Sequence, residues 1–348
     1  MGGGLEERES RDAHESGLAM KLGSWKILPF LLTFLALTLG PLSAPAVKGK
    51  EASLVPPLNQ AQGVPACKNR VNVPDAELHW LWVPDSAAEL HTELPYVFLA
   101  GQLISHGAVD ASSCPAGGLT LDGSANACGL ALTKNTVISL QNAFDPAIMQ
   151  AWVDYGVPPV LLKQLFRYES QFWPGTWGKF HFGLGHVTWF GAYTALTRNS
   201  ALLSKVCATT GSCSTDANSP NFNAFLDMLD AYCPTCQNKV DMNKAQASVG
   251  LTAQVVYAYC EQASQLVFNA TGLVSTAIID YPTLWKLALM NYNAGAQCVF
   301  DAVNKAYQFT DSTVSWYDIE HFTTGDQCVR GVAYANRITE PFYNFPPK

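Results

Sequence analysis

The ten cysteines of this chain limit its folding more than any other feature. An even number of cysteines in an exported chain predicts a framework of disulfide bonds. Cys114–Cys128 and Cys207–Cys213 each enclose a short loop rich in Gly, Ser and Thr, so we expect both pairs to bond. A third bond, Cys298–Cys328, would join two helical segments in the last part of the chain.

The Cys233–Cys236 pair is open to another interpretation, because two residues separate its thiols. Such spacing is typical of redox-active dithiols and of half of a zinc site. A zinc site needs further ligands, and the sequence offers neither a second close pair of cysteines nor a nearby pair of histidines. We therefore expect no zinc ion at Cys233 and Cys236.

The N-terminal region predicts export. From Met20 the sequence has a basic start, an apolar run over 27–39 and a small-x-small site at 44–46. This order is that of a secretory signal, so we interpret 1–46 as a signal peptide with Met20 as the true start. The alternative is an uncleaved membrane anchor, although the apolar run is short for a bilayer span. Either way we expect the protein in the cell envelope or periplasm, or outside the cell.

Composition indicates a folded protein without affinity for nucleic acid. Hydrophobic residues make up 48% of the chain and charged residues 14%, which favours a packed core over disorder. The net charge is −7 and the sequence contains no cluster of basic residues, so it lacks the electrostatic signature of nucleic-acid binding.

Helical patterning dominates the chain, so we predict a mainly α fold. We interpret 47–66 as a linker and 67–140 as an N-terminal extension whose role stays open. The catalytic domain would occupy 141–348, with a disulfide-rich insertion at about 201–240. Within it, Asp145-Pro146 and Gly156 are typical of a helix start and end, and Pro158-Pro159 of the next helix start.

That next helix carries the strongest candidate for chemistry, Glu169. Leu162, Leu165 and Phe166 precede it by seven, four and three residues, which places the carboxyl on their buried stripe. Lys163 is expected to point away from the stripe, together with Gln164 and Arg167. Burial of a carboxyl raises its pKa because it disfavours the charged form. The alternative is an ordinary, half-exposed glutamate at a helix end.

Two further stretches accompany Glu169. A loop rich in glycine and aromatic residues follows at 173–190, as expected of either a sugar-binding cleft or a glycine-rich turn. It contains Gly183-Leu184-Gly185-His186, about fourteen residues after the glutamate. Far downstream, Tyr292-Asn293-Ala294-Gly295 ends another predicted helix.

Glu-Ser, then Gly-Leu-x-x, then Tyr-Asn-Ala-Gly, in this order, resembles the SLT-type lytic transglycosylases of the lysozyme-like superfamily. The resemblance implies a lysozyme-like helical domain with Glu169 as catalytic acid and base. It implies cleavage of the β-1,4 bond between N-acetylmuramic acid and N-acetylglucosamine in peptidoglycan. The product would be 1,6-anhydromuramic acid, formed without water. It also implies that Tyr292 hydrogen-bonds Glu169 or the substrate.

The chain departs from the family at His186, where the family usually has Gln. Both side chains can donate and accept a hydrogen bond, so the contact can persist, and a histidine would make it pH-sensitive. A structural, hydrogen-bonded histidine is the alternative. The remaining substrate-binding candidates from the resemblance are Ser170, Asn293 and Gly183.

Two other function classes fit the sequence. A muramidase or chitinase-like hydrolase would use water and would need a second carboxylate about 5–9.5 Å from the acid, for which the sequence offers no motif. A non-catalytic cell-wall-binding protein would not need an intact glutamate and tyrosine. For the transglycosylase we expect glycan strands of peptidoglycan as the partner, no metal ion or organic cofactor, and a membrane only if the signal segment is retained.

Overall fold

The computed structural model describes residues 66–68 and 76–340, all of which belong to one compact unit. The predicted signal peptide and residues 47–65 of the predicted linker lie outside these residues. The described residues are mainly helical, as predicted, and contain isolated β-bridges but no strand. The α-helices are α1 Val97–Ser105, α2 Ala127–Ala143, α3 Asp145–Tyr155, α4 Pro159–Glu169, α5 Trp189–Arg198, α6 Ser200–Thr210, α7 Pro220–Leu229, α8 Met242–Thr271, α9 Ser275–Ile278, α10 Tyr281–Ala294, α11 Ala296–Thr310, α12 Trp316–Phe322 and α13 Asp326–Thr339. Single 3₁₀ turns lie at Ala66–Lys68, Ala76–Leu81, Ala87–Leu90, Pro115–Gly118 and Gln237–Lys239.

The 30-residue helix α8 is the centre of the fold. Asp241 caps its first turn by accepting a hydrogen bond from the Lys244 amide, and Gly272 ends it in the left-handed conformation. Helices α3, α5, α7, α10 and α11 all pack against α8. No described helix combines the length and the apolar character that crossing a membrane requires.

Helices α3 and α4 form the hairpin that the sequence predicts, with Gly156 in the left-handed turn between them. Leu162, Leu165 and Phe166 are fully buried, as expected from their spacing. The expectation that Lys163 and Gln164 point away from this stripe is wrong, because both are buried, and only Arg167 of that group is exposed.

Lys163 is buried because it has tertiary partners. Its ammonium group lies 2.6 Å from Asp145 and donates to the Leu90 carbonyl at 2.5 Å and to Asn142 at 3.1 Å. The Asp145 side chain therefore pairs with Lys163 across the hairpin and does not cap α3. Desolvation raises the pKa of Asp145 to about 6, and Lys163 partly offsets that rise.

Residues 76–140 pack onto the same core as the later helices. Gln141 and Asn142 at the end of α2 bind the backbone of Thr92 and Leu94, which fixes the segment leading into α1. A disulfide that the sequence did not suggest, Cys67–Cys260, joins the start of the described chain to α8.

All ten cysteines are paired. The three pairs expected from the sequence, Cys114–Cys128, Cys207–Cys213 and Cys298–Cys328, are confirmed. The Cys233–Cys236 pair is also a disulfide, so neither thiol is available to a metal. Helix α6, which begins at Ser200, and helix α7 form a second apolar cluster with α5 and one side of α8.

Candidate active site

Glu169 is the last residue of α4, and the chain turns sharply after it. Ser170 ends the helix, and Gln171 and Phe172 follow with positive φ values of 47° and 69°. Positive φ is uncommon for residues other than glycine and persists where tertiary contacts hold it. The Ser170 hydroxyl supplies one such contact, because it donates at 2.7 Å to the carbonyl of Leu184. The helix end and the glycine-rich loop are thereby joined.

The Glu169 carboxyl is largely withdrawn from water. Its side chain is 17% exposed, and one of its oxygens accepts a hydrogen bond from the Tyr334 hydroxyl. Desolvation raises the pKa of Glu169 to about 7, and the bond from Tyr334 works against that rise because it stabilises the carboxylate. At neutral pH both the protonated and the ionised form of Glu169 are therefore populated.

His186 lies beside the second oxygen of this carboxyl, with Nδ1 3.6 Å from Oε2. It sits in a tight turn between Phe182 and Val187, whose backbone groups form two hydrogen bonds, and its own φ is +47°. Burial lowers the pKa of His186 to about 4, with a further contribution from His181. The ring is therefore neutral at pH 7, and a neutral neighbour does not stabilise the carboxylate as a cation would.

Tyr292 contacts the glycine-rich loop and does not bond Glu169. Its hydroxyl donates at 2.5 Å to the carbonyl of Gly185. A Cβ atom on Gly185 would lie 2.5 Å from Cγ2 of Thr252 and 3.1 Å from the Tyr292 hydroxyl. Only glycine therefore allows α8, α10 and the loop to meet this closely.

Tyr334 on α13, and not Tyr292, donates the hydrogen bond to Glu169, and the sequence did not predict this contact. The Tyr334 ring is buried and lies parallel to the Tyr292 ring, at an interplanar angle of 7°. The sequence contains one indication of this contact, a glycine at 331 within a helical segment. Glycine destabilises the interior of a helix, so its presence there often means that another element packs closely against it. A Cβ at Gly331 would lie 2.5 Å from that of Ala294, so α13 packs tightly on α10.

The structure thus brings the glycine-rich loop and α13 to the carboxyl at the end of α4, with α10 packed behind both. Gly183, with φ +65°, packs against the Leu229 backbone and lets the loop fold back. Ser170 is fully buried and holds the loop, so it is not in a position to meet a substrate without rearrangement. Asn293 lies on the exposed face at the end of α10.

Over the described residues, no group of three or more His, Cys, Asp or Glu side chains is arranged to hold a metal ion. Comparison of the chain with family models, with curated proteins and with solved structures gives no match in any of the three.

Proposed function

We propose that this protein is a peptidoglycan lytic transglycosylase with a lysozyme-like catalytic domain. The observation that carries the proposal is the Glu169 carboxyl, with its pKa of about 7 and its hydrogen bond from Tyr334. Desolvation raises this pKa, and the hydrogen bond from Tyr334 opposes the rise. A two-carboxylate hydrolase would need a second carboxylate about 5–9.5 Å from Glu169 in addition.

A single carboxyl can perform both proton transfers of the proposed reaction. Glu169 in its acid form donates a proton to the glycosidic oxygen, and the 2-acetamido group of the muramoyl residue stabilises C1. The resulting carboxylate then takes the proton from O6 as that oxygen closes on C1. A pKa near the working pH serves both steps, because neither protonation state is costly to reach.

The neighbouring side chains support this double role. Tyr334 donates to the carboxyl and stabilises the charge that develops as Glu169 loses its proton. His186 is neutral and therefore leaves the acid form accessible at neutral pH. Tyr292 acts indirectly, because its bond to Gly185 positions the turn that carries His186.

The wider features of the chain agree with a substrate in the cell wall. Three stretches that resemble motifs of the SLT-type family lie in order along the chain, and His186 of the second stretch lies beside the Glu169 carboxyl of the first. The predicted signal peptide and the five disulfides fit an exported protein acting on glycan strands of the envelope.

The test is the release of soluble fragments from purified peptidoglycan by the wild type and by Glu169→Gln. The amide keeps the shape of the side chain but cannot transfer the proton, so we expect a loss of about 10²–10⁴-fold. Glu93→Gln is the matched control, since Glu93 is exposed and pairs only with surface His91. Wild-type turnover by Glu169→Gln would mean that the active site lies elsewhere.

A further inference from the structure

Trp177 presents a rigid aromatic surface beside the candidate active site. Its ring is stacked on the His186 imidazole, with centroids 5.5 Å apart and planes 14° from parallel. His181 also contacts it, at a centroid distance of 5.5 Å. The side chain nevertheless remains 47% exposed. One face of the indole is therefore covered by His186, while much of the rest meets solvent.

The N-terminal segment helps to hold this tryptophan. Phe98 at the start of α1 meets Trp177 edge-on, at a centroid distance of 5.9 Å, and meets His186 in the same way at 6.4 Å. The position of Phe98 is fixed by its amide, which donates at 2.8 Å to the Gln171 side chain two residues after Glu169. The Gln171 side chain thus anchors α1 against the active-site loop.

We propose that Trp177 is a stacking platform for a pyranose ring of the glycan strand, at a subsite next to the bond that Glu169 cleaves. This inference rests on the proposed function for its substrate class. Aromatic side chains bind flat apolar surfaces, and the two faces of a pyranose ring carry C–H groups of this kind. The platform costs little to organise on binding, because its ring contacts already fix it in the protein without ligand.

The position of Trp177 decides which sugar it binds. His186 lies between the indole and the Glu169 carboxyl, so a sugar on the open face of Trp177 is a neighbour of the residue being cleaved. Its contribution should therefore depend on chain length. Loss of Trp177 should raise KM for long glycans with little change in kcat, and should leave the shortest cleavable substrate almost unaffected.

The experiment measures binding in the Glu169→Gln background, where the glycan is not consumed. The probes are an N-acetylglucosamine oligomer series, which is uncharged, and peptide-free glycan strands, each titrated by calorimetry. We expect Trp177→Ala to weaken binding of the longer ligands about tenfold, in the range for loss of a buried aromatic contact. Trp177→Phe should recover part of the affinity, and Phe98→Ala should reproduce part of the loss.

Phe309→Ala is the matched control, because Phe309 is an aromatic residue on α11 that is 74% exposed. Three results would overturn the proposal: unchanged affinity in Trp177→Ala, an equal loss of affinity in the control, or no glycan binding by Glu169→Gln itself. A partly recovered affinity in Trp177→Phe rules out misfolding as the cause. Wild-type digests with reducing muramic acid ends would refute the transglycosylase but would leave the stacking platform standing. Anhydro ends together with unchanged glycan affinity in Trp177→Ala would refute only the platform.

Discussion

Replacement of Tyr334 by Phe isolates the hydrogen bond to the Glu169 carboxyl, the proposed catalytic group. The ring is buried and keeps its contacts in the variant, so the change removes the hydroxyl that donates to Glu169 and little else. A hydrogen bond to a charged group contributes about 1.5–3 kcal/mol. Because this bond stabilises the carboxylate, its loss should raise the pKa of Glu169 beyond about 7, by roughly one to two pH units at 1.36 kcal/mol each.

Two effects on catalysis follow. The acid form is needed first, so activity falls as pH rises through the pKa of Glu169, and in the variant this alkaline limb should move to higher pH. The maximal rate should fall about 10- to 100-fold, because the charge developing on Glu169 in the transition state loses its donor.

The assay is a pH–rate profile of fragment release, with Tyr292→Phe as the matched control. The Tyr292 hydroxyl bonds Gly185 and not Glu169, so its loss should reduce activity without moving the alkaline limb. An unmoved limb in Tyr334→Phe together with a moved limb in Tyr292→Phe would refute the assignment of the two tyrosines. Circular dichroism spectra of both variants should match that of the wild type.

Three further changes test the same site. Folding raises the pKa of Glu169 from its ordinary value of 4.5 to about 7, so its ionisation destabilises the fold as pH rises across that window. The free energy of unfolding should therefore fall in the wild type but not in Glu169→Gln as pH rises. The difference between the two proteins should change by roughly 3 kcal/mol in favour of Glu169→Gln between about pH 4 and pH 8, as measured by urea unfolding at both pH values. His186→Gln should keep most activity and leave the pH profile between about pH 5 and 8 unchanged, because a ring with a pKa of about 4 does not titrate in that range, whereas His186→Ala should lose much more; equal, small losses would assign His186 a structural role. Gly185→Ala should lower stability by about 1–3 kcal/mol, because its Cβ would overlap Thr252, and an unchanged melting temperature would contradict the close packing.

The sequence predicts the helix of Glu169 well because its determinants are local. Gly156 ends α3, the two prolines start α4, and the spacing of three apolar residues places the carboxyl on the buried face. The helical period fails for Lys163. It assumes that a helix has one buried face, whereas other parts of the protein contact α4 on more than one side. The partner that makes burial of Lys163 tolerable, Asp145, lies 18 residues earlier, on another helix.

Tyr334 was beyond such reasoning for the same physical reason. It meets Glu169 across 165 residues of sequence, and the contact depends on how closely α13 packs on α10. The motif containing Tyr292 marks the correct helix end, but a motif does not reveal which of two neighbouring hydroxyls reaches the carboxyl. The Cys67–Cys260 bond is equally non-local, at a separation of 193 residues.

In the proposed reaction Glu169 carries out both proton transfers, and O6 of the substrate, not a water molecule, attacks C1. Purified peptidoglycan is digested to completion, half of the digest is reduced with borohydride, and both halves are compared by mass spectrometry. We expect muramoyl ends that are lighter than a hydrolysed end by one water and unchanged by borohydride, since an anhydro end is non-reducing. Muramic acid ends that take up hydrogen on reduction would contradict this mechanism and would assign the protein to the water-using muramidases.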